Sequence, residues 1–454
     1  MPLRILYLMI IDLQKQAIAL LLENYSAKSS VYLNTSIMAT TLHLRAETKA
    51  LEHRSARMPP LPQICHLANT SRVTPTTTAA LLAAGYTVNV ERSPLRIFDD
   101  EEFSSVGATL VPEGSWVSAP ASHIIIGLKE LPEDSFALKH THVQFAHCYK
   151  TQGGWEQVLS RFPQGGGTLL DLEFLQDATG RRVAAFGYHA GYAGAALAVE
   201  AWVHQLQHPE STTMPGVKSY ANQDLLVADV KTKMAEGETI AHKKPTVLVT
   251  GALGRCGSGA VDLCKQIGIP DAQIIKWDLA ETKEFGPGPF PQIVQADIFV
   301  NCIYLSDPIP PFLNAESLSS PKRNLRVVCD ISCDTTNPHN PIPIYSENST
   351  FDNPTLPVPG YENPKLSVIS IDHLPSLLPR EASEAFSQSL LPSLLTLKSR
   401  GESPVWQQAE RLFGEKVLTL PEDLRALVVQ ATAQVADLAS KAAEAVGLDG
   451  GVKK

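Results

Sequence analysis

A chain of 454 residues, 44% of them hydrophobic, has the size of roughly two to three globular domains and an ordinary supply of core-forming side chains. Its formal charge of −9 argues against nucleic acid as the main partner, because phosphate binding needs clustered positive charge, and no apolar run approaches the ~20 residues of a membrane span. The seven cysteines, an odd number without zinc-like C-x-x-C pairs, fit a reduced intracellular protein, and no metal site is expected.

In chain order, Leu3 to Ile11 is apolar behind Arg4, but the stretch is short and no small-residue cleavage site follows it. Asp12 and Glu23 also speak against a mitochondrial presequence. Met38 opens an alternating M-A-T-T-L-H-L-R, so residues 1–37 are expected to be a non-native leader. From Thr41 the pattern is α/β. Strands are predicted at 42–44, 87–90, 123–127 and 143–146, the last two running on to Lys129 and His147. A helix is predicted over 75–84, with Thr74 as N-cap and Gly85 as its stop. Residues 57–72 lack periodicity and carry Pro59, Pro60 and Pro62 near their start, so they are expected to be an insertion. An Ala- and Gly-rich helix over 191–205 should be buried and packed closely on its neighbours. Residues 208–244 are polar and loosely patterned. Further strands are predicted at 246–250, 274–277, 298–301, 327–329 and 366–370, with a Gly/Pro-rich loop at 285–291. A long helix over 379–398 and an Ala-rich helix from Pro421 to Val446 close the chain. The alternation implies an α/β fold of two Rossmann-like, doubly wound domains with an active-site cleft between them. The expected boundaries are 38–185 plus 379–454 for a substrate domain and 186–378 for an NAD-binding domain.

The strongest local signal is Val247-Leu-Val-Thr-Gly251-Ala-Leu-Gly254-Arg-Cys-Gly257-Ser-Gly259: an apolar strand, closely spaced glycines, then a helix over 260–267. Such a turn lets backbone N–H groups approach a pyrophosphate. Its spacing is G-x-x-G-x-x-G, so the turn alone is weak evidence. Support comes from Ile274-Ile-Lys-Trp-Asp278, a second strand ending in an acid that can accept hydrogen bonds from the adenosine ribose and disfavours a 2′-phosphate. NAD is therefore expected over NADP, with Lys276 and Lys283 near enough to leave the choice open. Cys256 and Cys302 follow strands that a doubly wound order makes neighbours, so a disulfide and two ordinary thiols are both open readings.

Eight stretches in order carry a resemblance. The first four are Leu42-His-Leu-Arg-Ala-Glu-Thr-Lys49, Ile124-Ile-Ile-Gly-Leu-Lys-Glu130, Gln144-Phe-Ala-His-Cys-Tyr-Lys150 and Gly180-Arg-Arg-Val-Ala-Ala-Phe-Gly187. The others are the turn 251–259, Asn301-Cys-Ile-Tyr-Leu305, Asp334-Thr-Thr-Asn-Pro-His-Asn-Pro341 and Ile371-Asp-His-Leu-Pro-Ser-Leu-Leu-Pro-Arg-Glu-Ala-Ser383. The chain from 42 to 413, apart from 57–72, resembles the lysine-forming saccharopine dehydrogenases, relatives of alanine dehydrogenase and the transhydrogenase NAD domain. The resemblance implies an NAD-dependent enzyme that oxidises saccharopine, a secondary amine, and releases L-lysine and 2-oxoglutarate.

Alone, Lys129 reads as a surface lysine beside Glu130, and His147 as a structural histidine. By resemblance they are the acid/base pair, with Glu130 and Glu173 tuning their charge. Arg54 and Arg182 then hold substrate carboxylates, for which a guanidinium fork is the natural partner. Gln152, Phe186, Ser332, Cys333 and Asp334 match substrate-side positions. Arg181, Gly254, Arg255, Asp278, Thr282, Tyr304, Ile331, Ile371, Asp372, His373 and Leu374 match cofactor-side positions. An alanine dehydrogenase-like enzyme, with a smaller substrate carrying one carboxylate, and a non-catalytic NAD-binding regulator remain the alternatives. The expected protein is a monomer that binds neither nucleic acid nor membrane. Its expected location is cytoplasmic, with the peroxisome as the alternative, although the C-terminus G-V-K-K is not an S-K-L-type signal.

Overall fold

In the computed structural model, the residues described are 39–46 and 73–425, apart from 130, 132, 133, 152, 212, 306, 334 and 336–338. The expected leader (1–37), the expected insertion (57–72), Arg54, Glu130, Gln152, Asp334 and the tail helix beyond 425 lie outside them.

The first sheet comprises β1 (Thr41–Leu44), β2 (Thr87–Glu91), β3 (Thr109–Val111), β4 (Ile124–Ile126), β5 (Thr141–Gln144) and β6 (Thr168–Asp171), in the order β3-β2-β1-β4-β5-β6 and parallel throughout. The second comprises β7 (Val247–Thr250), β8 (Ile274–Trp277), β9 (Ile298–Asn301), β10 (Val327–Asp330), β11 (Leu356–Glu362) and β12 (Lys365–Ile369), in the order β11-β12-β10-β9-β7-β8. Only its edge strand β11 runs antiparallel. Strands such as Ile124–Ile126 and Val247–Thr250 are buried at every position, as parallel strands covered on both faces must be.

Between and after these strands the described residues form eleven α-helices. These are α1 (Pro75–Ala83), α2 (Asp100–Ser105), α3 (Trp155–Gly165), α4 (Gly187–Gln207), α5 (Gln223–Ala241), α6 (Arg255–Gln266), α7 (Leu279–Glu284), α8 (Pro291–Gln295), α9 (Ala315–Leu318), α10 (Pro379–Leu395) and α11 (Pro404–Leu418). The strand order reverses direction between β1 and β4 in one sheet and between β7 and β9 in the other. In such sheets the crevice at the carboxyl ends of the strands, at that reversal, is where ligands bind.

Local chemistry explains much of this. Thr74 and Thr77 form a reciprocal capping box, with Thr74 Oγ1 accepting from Thr77 N–H at 3.3 Å and Thr77 Oγ1 from Thr74 N–H at 3.0 Å, and Pro75 fills the first helical position. Helices α4 and α6 touch backbone to backbone: a Cβ added at Gly191 would lie 1.7 Å from the Cys256 carbonyl oxygen, and one at Gly259 would lie 2.0 Å from that of Tyr188.

Several elements differ from expectation. Strand β5 ends at Gln144, two residues before the predicted limit, so a short loop delivers His147. The stretch 208–244 contains the 19-residue helix α5. Its buried residues form only the narrow stripe Leu226, Val230, Met234 and Gly237, which a polar surround conceals in the sequence. Helix α6 begins at Arg255, inside the Gly-rich turn, and α4 begins at Gly187, one turn earlier than predicted. Helix α11 runs through Gly414, anchored by buried Trp406, Ala409 and Phe413.

Behind the first sheet, His43 and His123 rings lie 6.2 Å apart and those of His140 and His142 lie 6.0 Å apart. Burial pushes His142 well below the ordinary imidazole range and lowers His140 and His123 too. The folded state therefore binds fewer protons than the unfolded chain below pH ~6.5. This stability is complete above that pH and is lost as pH falls through it, by up to about 1.4 kcal/mol per unit for each histidine. The Asp171 carboxyl, raised by burial to about 6, works in the opposite direction. Melting temperature should fall from pH 7.5 to 5.5 (roughly the window set by the ordinary imidazole value), and His142→Leu should flatten the slope. An unchanged slope in the variant would remove His142 from the account.

Candidate active site

Strand β7 runs into Gly251, whose φ of 69° is left-handed. A Cβ at Gly257 would lie 2.2 Å from the Gly251 carbonyl oxygen, so the turn folds directly onto the start of α6, whose N-cap is Gly254. Asp278 caps α7. One of its oxygens accepts from Leu279 N–H at 2.8 Å and the other from Leu253 N–H, in the Gly-rich turn, at 3.1 Å. Thr282 Oγ1 donates to the Asp278 carbonyl at 3.1 Å. Lys276 is held by Asp271 at 2.7 Å. Leu253, Leu279 and Tyr304 are exposed apolar side chains, 85%, 63% and 59% accessible, beside this acid or on the neighbouring strand end. Backbone N–H groups, a ribose-ready carboxylate and uncovered apolar faces fit an adenosine diphosphate moiety. Cys256 and Cys302 are free thiols in contact, and that contact, with burial, pushes the Cys302 thiol well up.

At the end of β10, the buried Asp330 carboxylate accepts from Ser332 Oγ at 2.6 Å, Ser332 N–H at 3.1 Å, Asn301 Nδ2 at 3.0 Å and Tyr345 Oη at 2.7 Å. The Ser332 hydroxyl thus donates inward, fixing the loop that carries Ile331 and the left-handed Cys333 (φ 34°).

On the facing domain, Lys129 follows β4 and His147 follows β5. Arg45, 5% exposed at the end of β1, donates from Nη2 to the Lys129 carbonyl at 2.6 Å. Room for it is made by Gly127, where a Cβ would lie 2.5 Å from that nitrogen. His147 has a φ of 50° and stacks on Phe145 at 6.2 Å. Asp372, from the NAD-side sheet, is held below the usual carboxylate range first by His373, 3.8 Å away, and then by the charges of Lys129 and His147. The fold thus brings Asp372 to the acid/base candidates. Gly127→Ala should displace Arg45 and loosen Lys129, lowering turnover by roughly tenfold, the worth of about 1.4 kcal/mol of lost placement. Wild-type turnover in this variant would show that Arg45 does not position the lysine.

At the domain junction, Glu173 pairs with Lys150 at 2.7 Å and with Arg182 at 3.4 Å. Arg255 Nη2 donates across the junction to the Arg182 carbonyl at 2.6 Å. Burial and then the charges of Arg181 and Arg182 lower the Arg255 guanidinium, with Asp177 opposing them, so cationic side chains gather at this junction. Phe186 stacks on Phe386 of α10 at 4.3 Å. Ile371 and Leu374 are each 1% exposed, so of these two only backbone can meet a ligand. His373 meets Phe351 edge-on at 5.1 Å. The sequence alone does not single out Arg45, Asp171 or Lys150. Arg45 and Asp171 are charged residues ending or following apolar strands, which is the available signal.

A Gly-rich turn between strand and helix of one sheet, with a lysine and a histidine following strands of a second, parallel sheet, is the layout of a two-domain, dinucleotide-dependent dehydrogenase. The fold agrees: an L-alanine dehydrogenase and the transhydrogenase from Sinorhizobium meliloti each superpose with a TM-score of 0.53 at 14% identity, covering 81% of this chain and 98% and 97% of theirs. Residues 69–193 match the family described as alanine dehydrogenase/PNT, N-terminal domain. The saccharopine dehydrogenase (NAD+, L-lysine-forming) of Neurospora crassa is 64% identical over 384 residues, 84% of this chain and 98% of that protein. The Schizosaccharomyces pombe protein of the same name is 55% identical over 391 residues, 85% of this chain and 100% of its own. The chain belongs to the L-lysine-forming, NAD-dependent saccharopine dehydrogenase family.

Proposed function

We infer that the protein oxidises saccharopine with NAD+ and water to L-lysine, 2-oxoglutarate, NADH and a proton. The observation that carries this is the 64% identity spanning 98% of a relative of that name. When bound, NAD+ supplies the hydride acceptor. Of the chain's own groups, Lys129 and His147 handle the protons: one takes the amine proton as hydride leaves carbon, and the other activates the water that hydrolyses the imine. Asp372 balances their positive charge. Arg182, with Arg54, holds substrate carboxylates, and Arg181 and Arg255 face the cofactor phosphates. Asp278 takes the adenosine ribose. The boundaries 38–185 plus 379–454 and 186–378, a monomeric state and a cytoplasmic location belong to the same reading, and light scattering tests the second of these.

The test is NADH formation by the purified protein with saccharopine, alanine and a panel of small secondary amines. Product from saccharopine supports the reading; product from alanine alone would favour the smaller-substrate enzyme, and none at all a binding protein. Two arginines for substrate carboxylates, Arg54 and Arg182, favour saccharopine, which carries more carboxylates than alanine.

The sixteen residues 57–72 interrupt Glu52-His-Arg-Ser-Ala56 and Val73-Thr-Pro75, which would otherwise join directly. Thr74 and Pro75 start α1, so the direct join would fix the direction of Arg54, where a charge-assisted contact of about 1.5–3 kcal/mol is at stake. Joining Ala56 to Val73 should raise kcat/KM for saccharopine or the yield of folded protein. Loss of folding or activity on deletion would show the segment to be native.

A further inference from the structure

Strands β5 and β6 lie side by side, with Gln144 opposite Asp171. The Asp171 side chain is 2% exposed. One carboxylate oxygen accepts from Ala146 N–H at 3.2 Å, in the loop that delivers His147. The other accepts from Glu173 N–H at 2.8 Å, in the loop that delivers Glu173 to Lys150 and Arg182. A single buried carboxylate therefore ties two site-bearing loops together, directly beneath a histidine whose backbone is left-handed. The ionisable groups that meet Asp171 electrostatically are His147 and Glu173 on those loops and the buried Tyr149 phenol. Lys150 and Arg182 stand behind Glu173, and the side chains buried from α11 are Trp406, Ala409 and Phe413, none ionisable.

We propose that Asp171 is the positioning residue for His147, fixing its loop to that of Glu173 and favouring the protonated imidazole through its own negative charge. The proposal rests on the acid/base reading of His147 but acts through a residue outside that pair. Burial pushes the Asp171 carboxyl up to about 6, the two backbone N–H groups oppose that shift, Glu173 adds to it and His147 opposes it. Two interacting groups of this kind shed their protons in two joint steps.

Asp171→Asn keeps the shape, removes the charge, and turns an amide NH2 toward one of the two backbone N–H groups. The first readout is the imidazole titration of His147 by NMR, assigned by comparison with His147→Gln. In Asp171→Asn its midpoint should fall. The second is steady-state kinetics: kcat should fall by roughly 10- to 100-fold, with its acid limb displaced to lower pH, while NAD+ affinity stays near wild type. A merely structural carboxylate would leave the His147 midpoint where it was, and that result overturns the proposal. So does a loss of turnover matched by equal loss of NAD+ binding. Should Asp171→Asn not fold, the wild-type His147 curve decides: two inflections support the coupling, and one simple inflection overturns it. Wild-type protein that makes no NADH from saccharopine would sink the functional reading instead, while the titration would still judge Asp171.

Discussion

Lys129→Met and His147→Gln should each lower turnover of saccharopine by about 10²–10⁴, the usual worth of a positioned acid or base. Methionine keeps most of the lysine's length and flexibility without its charge, and glutamine keeps hydrogen bonding without titrating near neutrality. The loop under Lys129 is held by Arg45 through the carbonyl of residue 129, an interaction that the side-chain change leaves in place. NAD+ affinity should therefore stay close to that of the wild type, since the Gly-rich turn belongs to the other sheet. A second readout separates lost chemistry from lost structure. Both side chains help hold Asp372 in its charged form, so its carboxyl should titrate at higher pH in either variant. Near-normal turnover in one of them would return that residue to a structural role.

NADP+ should serve the enzyme at least ~10²-fold less well than NAD+ in kcat/KM, because bringing like charges together costs several kcal/mol. The geometry leaves no easy escape. Asp278 is fixed at its place by Leu279 and Leu253 N–H groups, so it cannot swing from a 2′-phosphate without uncapping α7 and releasing the Gly-rich turn. Lys276, the obvious source of compensating charge, is occupied by Asp271. Asp278→Ser should narrow the gap by about tenfold or more while preserving the helix, because serine is itself a good N-cap. Comparing kcat/KM for the two cofactors in both proteins is the check, and a wild-type preference for NADP+ would dispose of the Asp278 assignment.

The Gly-rich turn and the acid after the next strand are legible in the sequence because their pattern is local. Gly251, Gly254 and Gly257 follow an apolar strand, and Asp278 ends the next, so pattern and spacing coincide. The buried strands are legible for the same reason, as apolar runs such as I-F-V at 298–300. What escapes depends on long-range packing. Helix α5 is held by a stripe four residues deep and by Glu200 of α4, which meets Lys233 at 3.1 Å and Tyr220 at 3.3 Å. Arg45 is 84 positions from the carbonyl it holds. Asp171 acts on a loop 25 positions earlier, which only the pairing of β5 with β6 brings within reach. Asp372 reads as a cofactor-side residue, yet its electrostatic neighbours include Lys129 and His147, more than two hundred positions away. No periodicity records such meetings.

The contact between α4 and α6 bears on how this chain can change over generations. At Gly191 and Gly259 the obstacle to a methyl group is the carbonyl oxygen of the opposing backbone, not a side chain that could rotate away. Accommodating even alanine means sliding one helix against the other, and α6 would carry Gly254 and Arg255 of the nucleotide turn with it. At Gly194, by contrast, the atoms nearest an added Cβ belong to the side chains of Cys329 and Ile331, which can shift. At the α4–α6 crossing a single added methyl group is already too long a step, so drift around the Gly-rich turn must go by other routes.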